Sequence, residues 1–324
     1  MRFVLMIEAQ QGFSYTEQLD MAHRARAAGF EAFFRSDHYE SFPGADDNPT
    51  TDAWAVLAGL ARETEQIGLG VLVSPVTFRH PGNLAKVVTT VDEMSGGRIE
   101  VGLGAGWNDR EHRRYGFAFP EIDVRADILE EQLEVVHGLW AEPDGWSFRG
   151  RHYTVEDARV RPRPIDAPGR PRSAAGHVRP RIIVGGGSPR SIRLAARWAD
   201  EYNVTSSNPD QVSEKYRRLD EELAGIGRDP KEVVRSAMVG VLVGTDEADV
   251  TRREQALLEA VGEEAGDEWF AERRSRWIHG TPDAARESVR RFAAAGVERI
   301  MLQDFVPRDA DMIELMGREL VGRG

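Results

Sequence analysis

Eight short apolar runs alternate with amphipathic helical stretches along the 324 residues, and the links between them are mostly short. Continuous apolar strands interleaved with helices describe a parallel sheet covered by helices. Eight such units and a closing helix predict an α/β chain closed into a (β/α)8 (TIM) barrel with insertion segments; an open doubly wound sheet is the rival reading. A closed barrel reaches this length as one unit, so residues 1–324 are read as a single domain.

Residues 2–8 read as a buried strand, and 15–30 as a helix with Leu19, Ala22 and Ala25 on one face and Gly29 closing it. The second unit pairs a strand at 31–38 with a helix at 50–65, for which Thr51 or Asp52 offers a cap. Strand 67–75 and helix 81–97 form the third, and strand 98–106 precedes a long helix from about 121 to 140. A proline-rich stretch at about 143–180, with a candidate hairpin at 146–155, breaks the rhythm and reads as an insertion. The alternation resumes with strand 181–187 and helix 188–200, strand 201–206 and helix 209–227, and strand 233–244 with helix 247–262. A charged, Trp-containing excursion at about 262–281 and a helix at 283–297 lead to strand 299–305 and helix 310–320.

The bulk numbers exclude several classes. A formal net charge of -12 and a pI near 5.3 argue against nucleic-acid or anionic-membrane partners. Without cysteine, disulfides, thiolate catalysis and Cys-ligated zinc are excluded. The N-terminal apolar run ends at Glu8, too early for a signal peptide, and no run approaches the roughly 20 apolar residues of a membrane span. The expectation is a soluble cytoplasmic protein. No HxH or HExxH spacing suggests a metal, and no Gly-x-Ser-x-Gly elbow suggests a serine hydrolase.

In such barrels the active site lies at the carboxyl ends of the strands. That rule selects Glu8 and Gln10, Ser36–Asp37–His38, Val73–Ser74–Pro75, Gly104 to Asn108, Gly185–Gly187, Asn203 to Ser206, and Gln303 with Asp304. The stretch VGGGSPRS (184–191) runs a strand through three glycines into Ser188, Pro189 and Arg190. Glycines admit a ligand to the backbone and a helix start offers free N–H groups, yet a tight turn fits the stretch equally; the phosphate site expected in the second half of such a barrel favours an anion site. In SDH, His38 can exchange a proton near neutral pH, but neighbouring strand residues point oppositely, so Asp37 and His38 need not share a face. From position alone, catalysis and a hydrogen-bonded loop histidine are equal readings.

GLGAGWNDREH (102–112) lacks the third spaced glycine of a dinucleotide fingerprint and follows the fourth strand. Its alternating glycines instead strip one side of a strand end, where a planar ring can approach. If a helical turn starts there, Asn108 and His112 share a face, and Trp107 forms an apolar wall. A glycine-relaxed strand end with a buried Trp is the structural alternative. The charge runs at 111–114 and 272–276 read as solvated faces. Trp54, Trp107, Phe42 and Tyr39 suggest an apolar substrate pocket, with residues 143–180 as a movable cover, and equally fit a core.

Four segments, 27–38, 68–112, 148–153 and 182–203, occur in the order of the luciferase-like flavin and deazaflavin oxidoreductases, and the chain resembles that superfamily over most of its length. The resemblance implies a barrel with an insertion, usually a homodimer, and a flavin-type ring over the strand ends. It matches His38 to the active-site histidine and Gly185, Gly186 and Gly187, with Ser188, to the backbone that receives a cofactor phosphate. Asn108 and His112 match the region that contacts the ring or tail. A non-prolyl cis peptide near Val71–Leu72, with Val73, is expected behind the ring. Glu8, Asp37, Gly104, Gly106 and Asn203 complete the expected cofactor shell, and Trp107 and Trp54 the substrate pocket. Deazaflavin-dependent sugar-phosphate dehydrogenases carry a Glu just after the GxG, where Trp107 stands here. The chain has only three lysines, Lys86, Lys215 and Lys231, which argues against a sugar-phosphate substrate.

The resemblance thus implies an oxidoreductase that passes a hydride between coenzyme F420 and a small molecule, with His38 giving or taking a proton. The alternative is an FMN-dependent monooxygenase supplied by a partner flavin reductase. A barrel that binds flavin or deazaflavin without turnover is the third reading.

Overall fold

A computed structural model of the chain describes residues 1–42, 47–173 and 176–323. In order, the first half contains β1 (Arg2–Ile7), α1 (Tyr15–Ala27), β2 (Ala32–Arg35), α2 (Ala53–Glu63), β3 (Gly68–Pro75), α3 (Pro81–Ser95), β4 (Ile99–Gly104), α4 (Asp109–Tyr115) and α5 (Ile122–Ala141). A hairpin of β5 (Trp146–Arg149) and β6 (Thr154–Ala158) follows. The second half contains β7 (Arg181–Gly185), α6 (Pro189–Trp198), β8 (Glu201–Thr205), α7 (Pro209–Gly225), β9 (Val234–Val243), α8 (Glu247–Val261) and α9 (Glu263–Arg274). It closes with β10 (Ile278–Gly280), α10 (Pro282–Ala294), β11 (Arg299–Asp304) and α11 (Ala310–Glu319).

Eight parallel strands run β1-β2-β3-β4-β7-β8-β9-β11, and the β11–β1 and β8–β9 ladders close the ring. This is the (β/α)8 barrel that the sequence predicts. Strand alternation divides the core into two layers. Val4, Met6, Ala32, Phe34, Ile183 and Met301 fill the barrel interior. Phe3, Leu5 and Ile7 face outward into the larger shell beneath the helices.

The helices start where side chains can satisfy their free N–H groups. Ser14 and Glu17 form a reciprocal capping box on α1, Asp52 caps α2, Asn108 caps α4 and Ser188 caps α6. α4 and β10 have no counterpart among the elements read from the sequence. β10 pairs with Val241–Val243 beyond the stretch of β9 that meets β8, so the 262–281 excursion ends as a strand on the barrel rim.

The amino ends of the strands are closed by an ion cluster. Arg299, at the start of β11, reaches Glu100 (2.6 Å), Glu201 (2.8 Å) and Glu31, and its guanidinium lies 5.4 Å from the Phe34 ring. Burial alone would push Arg299 toward the neutral form, but the surrounding carboxylates hold its pKa well above the usual arginine value.

The 143–180 insertion is strapped to the outside of the barrel. Trp146 lies against Gly138 of α5, where a Cβ would come within 2.2 Å of the indole. Glu131 of α5 accepts the backbone N–H groups of Arg151, His152 and Tyr153, and Arg170 pairs with Asp92 of α3 at 2.7 Å. The expected movable cover is therefore misplaced: among its described residues, none lines the cavity at the carboxyl ends of the strands. Ala174 and Ala175 of that stretch lie outside the described residues.

Candidate active site

A cavity of about 1080 Å³ opens at the carboxyl ends of the strands. Glu8 after β1, Ser36 and His38 after β2, and Leu72 and Val73 in β3 reach it, as do Gly104 at the end of β4 and Gly106 beyond it. Gly185, Gly186, Gly187 and Ser188 line it between β7 and α6, Asn203 from β8, and Gln303 from β11. These strand-end positions are brought together because the eight strands run parallel and place their carboxyl ends on one rim.

β2 shows how alternation sorts neighbours. Ser36 and His38 face the cavity, while Asp37 turns behind it. Asp37 is buried, accepts from Ser74 Oγ at 2.7 Å and pairs with Arg79 at 2.5 Å. Trp54 donates its Nε1–H to the same Ser74 hydroxyl at 3.0 Å. Asp37 and Trp54 therefore lock β2, β3 and α2 together, and neither reaches the cavity where the sequence reading placed them. Arg79 also reaches Asp52 and the Tyr39 hydroxyl. Tyr39 is thus a wall residue of this network, its phenol pKa raised first by burial and then by its hydrogen bond to Asp52.

Further expectations change once the packing is seen. Asn108 caps α4 through its Oδ1 to the Arg110 N–H, and His112 is wholly buried between Thr77 Oγ1 and the Asn108 carbonyl, each at 2.6 Å. They do share one helix end, but both serve to fix α4, and neither lines the cavity. Val71 is sealed in the core. The cis peptide lies at Leu72–Val73, one bond beyond the expected position, where the β3–β4 register shifts between Val71 and Ser74.

The glycines make room. A Cβ on Gly104 would meet Val73 Cγ2 at 2.7 Å, and one on Gly102 would meet the Val71 carbonyl oxygen at 2.5 Å. Gly186 holds φ +121°, a conformation that L side chains rarely adopt, with its carbonyl accepting from the Tyr202 hydroxyl at 2.7 Å. The backbone beside Gly187 faces Lys215, which donates to Ser207 Oγ at 2.7 Å and whose pKa is lowered by burial. Arg190 lines the cavity, but its guanidinium is engaged by Asp127.

His38 is the titratable side chain best placed for proton transfer. Its Nδ1 lies 2.9 Å from Glu111 Oε1, and the edges of Phe42 and Trp107 meet its ring at centroid distances of 4.5 and 5.7 Å. Among the described residues no hydrogen bond engages Nε2. Glu8, by contrast, already receives the side-chain amides of Gln10 and Gln303. Asn203 donates to Ser236 Oγ, and its Oδ1 is buried without a hydrogen-bond partner among the described residues.

The two charge runs read as solvated are so only in part: Arg113, Arg114, Glu272, Arg274 and Ser275 are exposed, while others turn inward. Glu111 is buried against His38, and Arg114 binds the buried Glu40. Arg273 and Arg276 line the cavity with Trp269 and Trp277. Trp277 stacks on Phe305 at 5.3 Å and 6°, and lies so close to Gly240 that a Cβ there would come within 2.1 Å of its ring. The 262–281 excursion, not the 143–180 insertion, builds this wall. Its sequence signal was the cluster of Trp and Arg within a segment that interrupts the strand–helix rhythm.

A parallel barrel with a glycine-lined cavity and, at its mouth, a histidine with one ring nitrogen hydrogen-bonded has the form of a cofactor-using enzyme. The chain belongs to the luciferase-like monooxygenase family, whose description matches residues 1–299. It is 29% identical to an F420-dependent glucose-6-phosphate dehydrogenase of Microbacterium testaceum (strain StLB037), over 100% of this chain and 97% of that one. It is 26% identical to an FMNH(2)-dependent dimethylsulfone monooxygenase of Pseudomonas putida, over 75% of this chain and 67% of that one. The fold superimposes with a TM-score of 0.83 on an F420-dependent secondary alcohol dehydrogenase solved with an F420-acetone adduct, at 20% identity over 98% of each chain.

Proposed function

We propose that the protein is an F420-dependent oxidoreductase that moves a hydride between the deazaflavin ring and a small organic substrate, with His38 giving or taking the accompanying proton. The observation that carries this is His38 itself, one ring nitrogen held and the other unengaged, in the same cavity as the bare strand ends. The full-length likeness to an F420-dependent dehydrogenase supports the choice of cofactor.

The residues present fit such a group. Val73, Gly104 and Gly106 would support the ring. The N–H of Gly187 and the free N–H at the start of α6 would hold a phosphate, with Lys215 beside them. Bound F420 supplies two-electron hydride chemistry. Phe42, Trp107, Trp269 and Trp277 would exclude water from the substrate side, where His38 Nε2 meets a polar atom of the substrate.

The scarcity of lysine is a weaker argument against an anionic substrate than the sequence suggests, because four arginines line the cavity: Arg190, Arg193, Arg273 and Arg276. The same reading carries a homodimer working in the cytoplasm. The second reading, an FMN-dependent monooxygenase fed by a flavin reductase, is favoured by the likeness to the dimethylsulfone enzyme. Anaerobic assay of reduced F420 against a panel of carbonyl and unsaturated compounds, beside oxygen uptake with reduced FMN, tests the choice. Substrate-dependent F420 oxidation without oxygen supports the proposal. Substrate-dependent oxygen uptake with reduced FMN alone would replace it with the second reading, and activity with neither would favour a non-catalytic cofactor-binding barrel.

A further inference from the structure

We infer that Glu111 is the positioning residue of His38: it fixes the ring with Nδ1 protonated and turned away from the cavity, leaving Nε2 as the atom that exchanges a proton with substrate. Glu111 lies on α4, 73 residues from His38 in sequence, and is 1% exposed. Its two oxygens lie 2.9 and 3.2 Å from Nδ1, and Oε2 also accepts the Tyr39 N–H at 3.1 Å. Among the described residues, His38 is the only side chain hydrogen-bonded to it. The neighbouring cations Arg110 and Arg114 bind Glu40 instead. An ionised carboxylate can only accept, so Nδ1 must donate, and the neutral ring must carry its lone pair on Nε2.

The arrangement is doubly anchored. The Tyr39 N–H holds the carboxylate, and the edge contacts of Phe42 and Trp107 hold the ring plane. A buried carboxylate with this partner set stabilises the imidazolium that forms when Nε2 accepts a proton. In the reducing direction the ring first takes a proton from solvent at Nε2, and that proton passes to the substrate heteroatom as the hydride reaches the adjoining carbon. The Nδ1 proton stays in its bond to Glu111, and the ring ends neutral. In the oxidising direction both steps reverse.

The inference rests on His38 acting in the proposed hydride transfer, so the test has one arm that needs no cofactor. Ring nitrogen NMR of histidine-labelled protein reads the His38 tautomer directly, with His38→Ala assigning the signal. The expected result is an Nδ1–H tautomer in the parent and a mixture in Glu111→Gln, whose carboxamide can donate or accept. In turnover, Glu111→Gln should lower kcat about 10- to 1000-fold, with KM and cofactor Kd within about threefold. Glu111→Asp should recover part of that loss, and the double variant with His38→Ala should be no slower than His38→Ala. An unchanged tautomer in Glu111→Gln overturns the inference, whatever happens to activity. So does a changed tautomer with unchanged kcat. Failure of the parent to use F420 would sink the cofactor assignment and leave the tautomer result standing.

Discussion

His38 has one ring nitrogen committed to a buried carboxylate and one unengaged, and that asymmetry sets its expected behaviour. Replacing it with Ala removes the proton-transfer group and little else at the cavity wall. Turnover should fall about 100-fold or more while the cofactor Kd changes less than about threefold. Rapid-mixing kinetics and fluorescence titration of His38→Ala check both, and unchanged turnover would remove His38 from the chemistry. The histidine was legible because it stands at a strand end, where barrel geometry concentrates chemistry. Its partner was not. Glu111 sits in the run Glu-His-Arg-Arg, which composition assigns to solvent, and three residues after the cap Asn108, a spacing that suits a capping box. Only the path of α4 across the β2 terminus turns that carboxylate inward. Asp37 was misassigned because sequence proximity to the strand end does not tell which side of the strand a residue takes, and Trp54 because an aromatic side chain in the first turn of α2 fits core and pocket alike.

At the level of elements, the carboxyl ends of β9 and β11 carry two of the more sensitive positions. Trp277 lies flat on Gly240, and a methyl there collides with the indole. Gly240→Ala should cost about 1–3 kcal/mol in denaturant unfolding and weaken substrate binding more than cofactor binding. Next to it, Asp304 is buried and accepts the Val306 N–H through Oδ1, and among the described residues nothing bonds its Oδ2. Burial pushes its pKa up from 3.8 to about 7. The folded state then holds a proton that the unfolded state has released, so this group's contribution is full below about pH 4 and is lost as pH rises through 7. Asp304→Asn should flatten that fall, by roughly 1.4 kcal/mol per pH unit at most. An identical pH slope in parent and variant would show that Asp304 titrates normally. The strands and most helices were readable because apolar runs and amphipathic stretches carry different periods. β10 escaped because it has three residues, and α4 because seven residues give little periodicity.

For the molecule as a whole, the barrel divides its ends between stability and chemistry. The amino end is sealed by Arg299 with Glu100, Glu201 and Glu31, and the carboxyl end is kept open by glycines. Arg299→Met should leave Glu100 and Glu201 with only the longer contacts of Arg181 and cost about 3–5 kcal/mol, with cofactor affinity unchanged in the folded fraction. The eightfold alternation made the closed barrel legible from the sequence. Which excursion covers the cavity was not, because both interrupt the rhythm and only packing shows that 143–180 is tied to α3 and α5 while 262–281 reaches the mouth. The cofactor is the central claim, and equilibrium titration of the purified protein with F420 and with FMN, each oxidised and reduced, tests it most directly. Tight, selective binding of F420, weakened by a bulky side chain at Gly104 or Gly186, is the expected result. Selective binding of reduced FMN, or of neither cofactor, would contradict it.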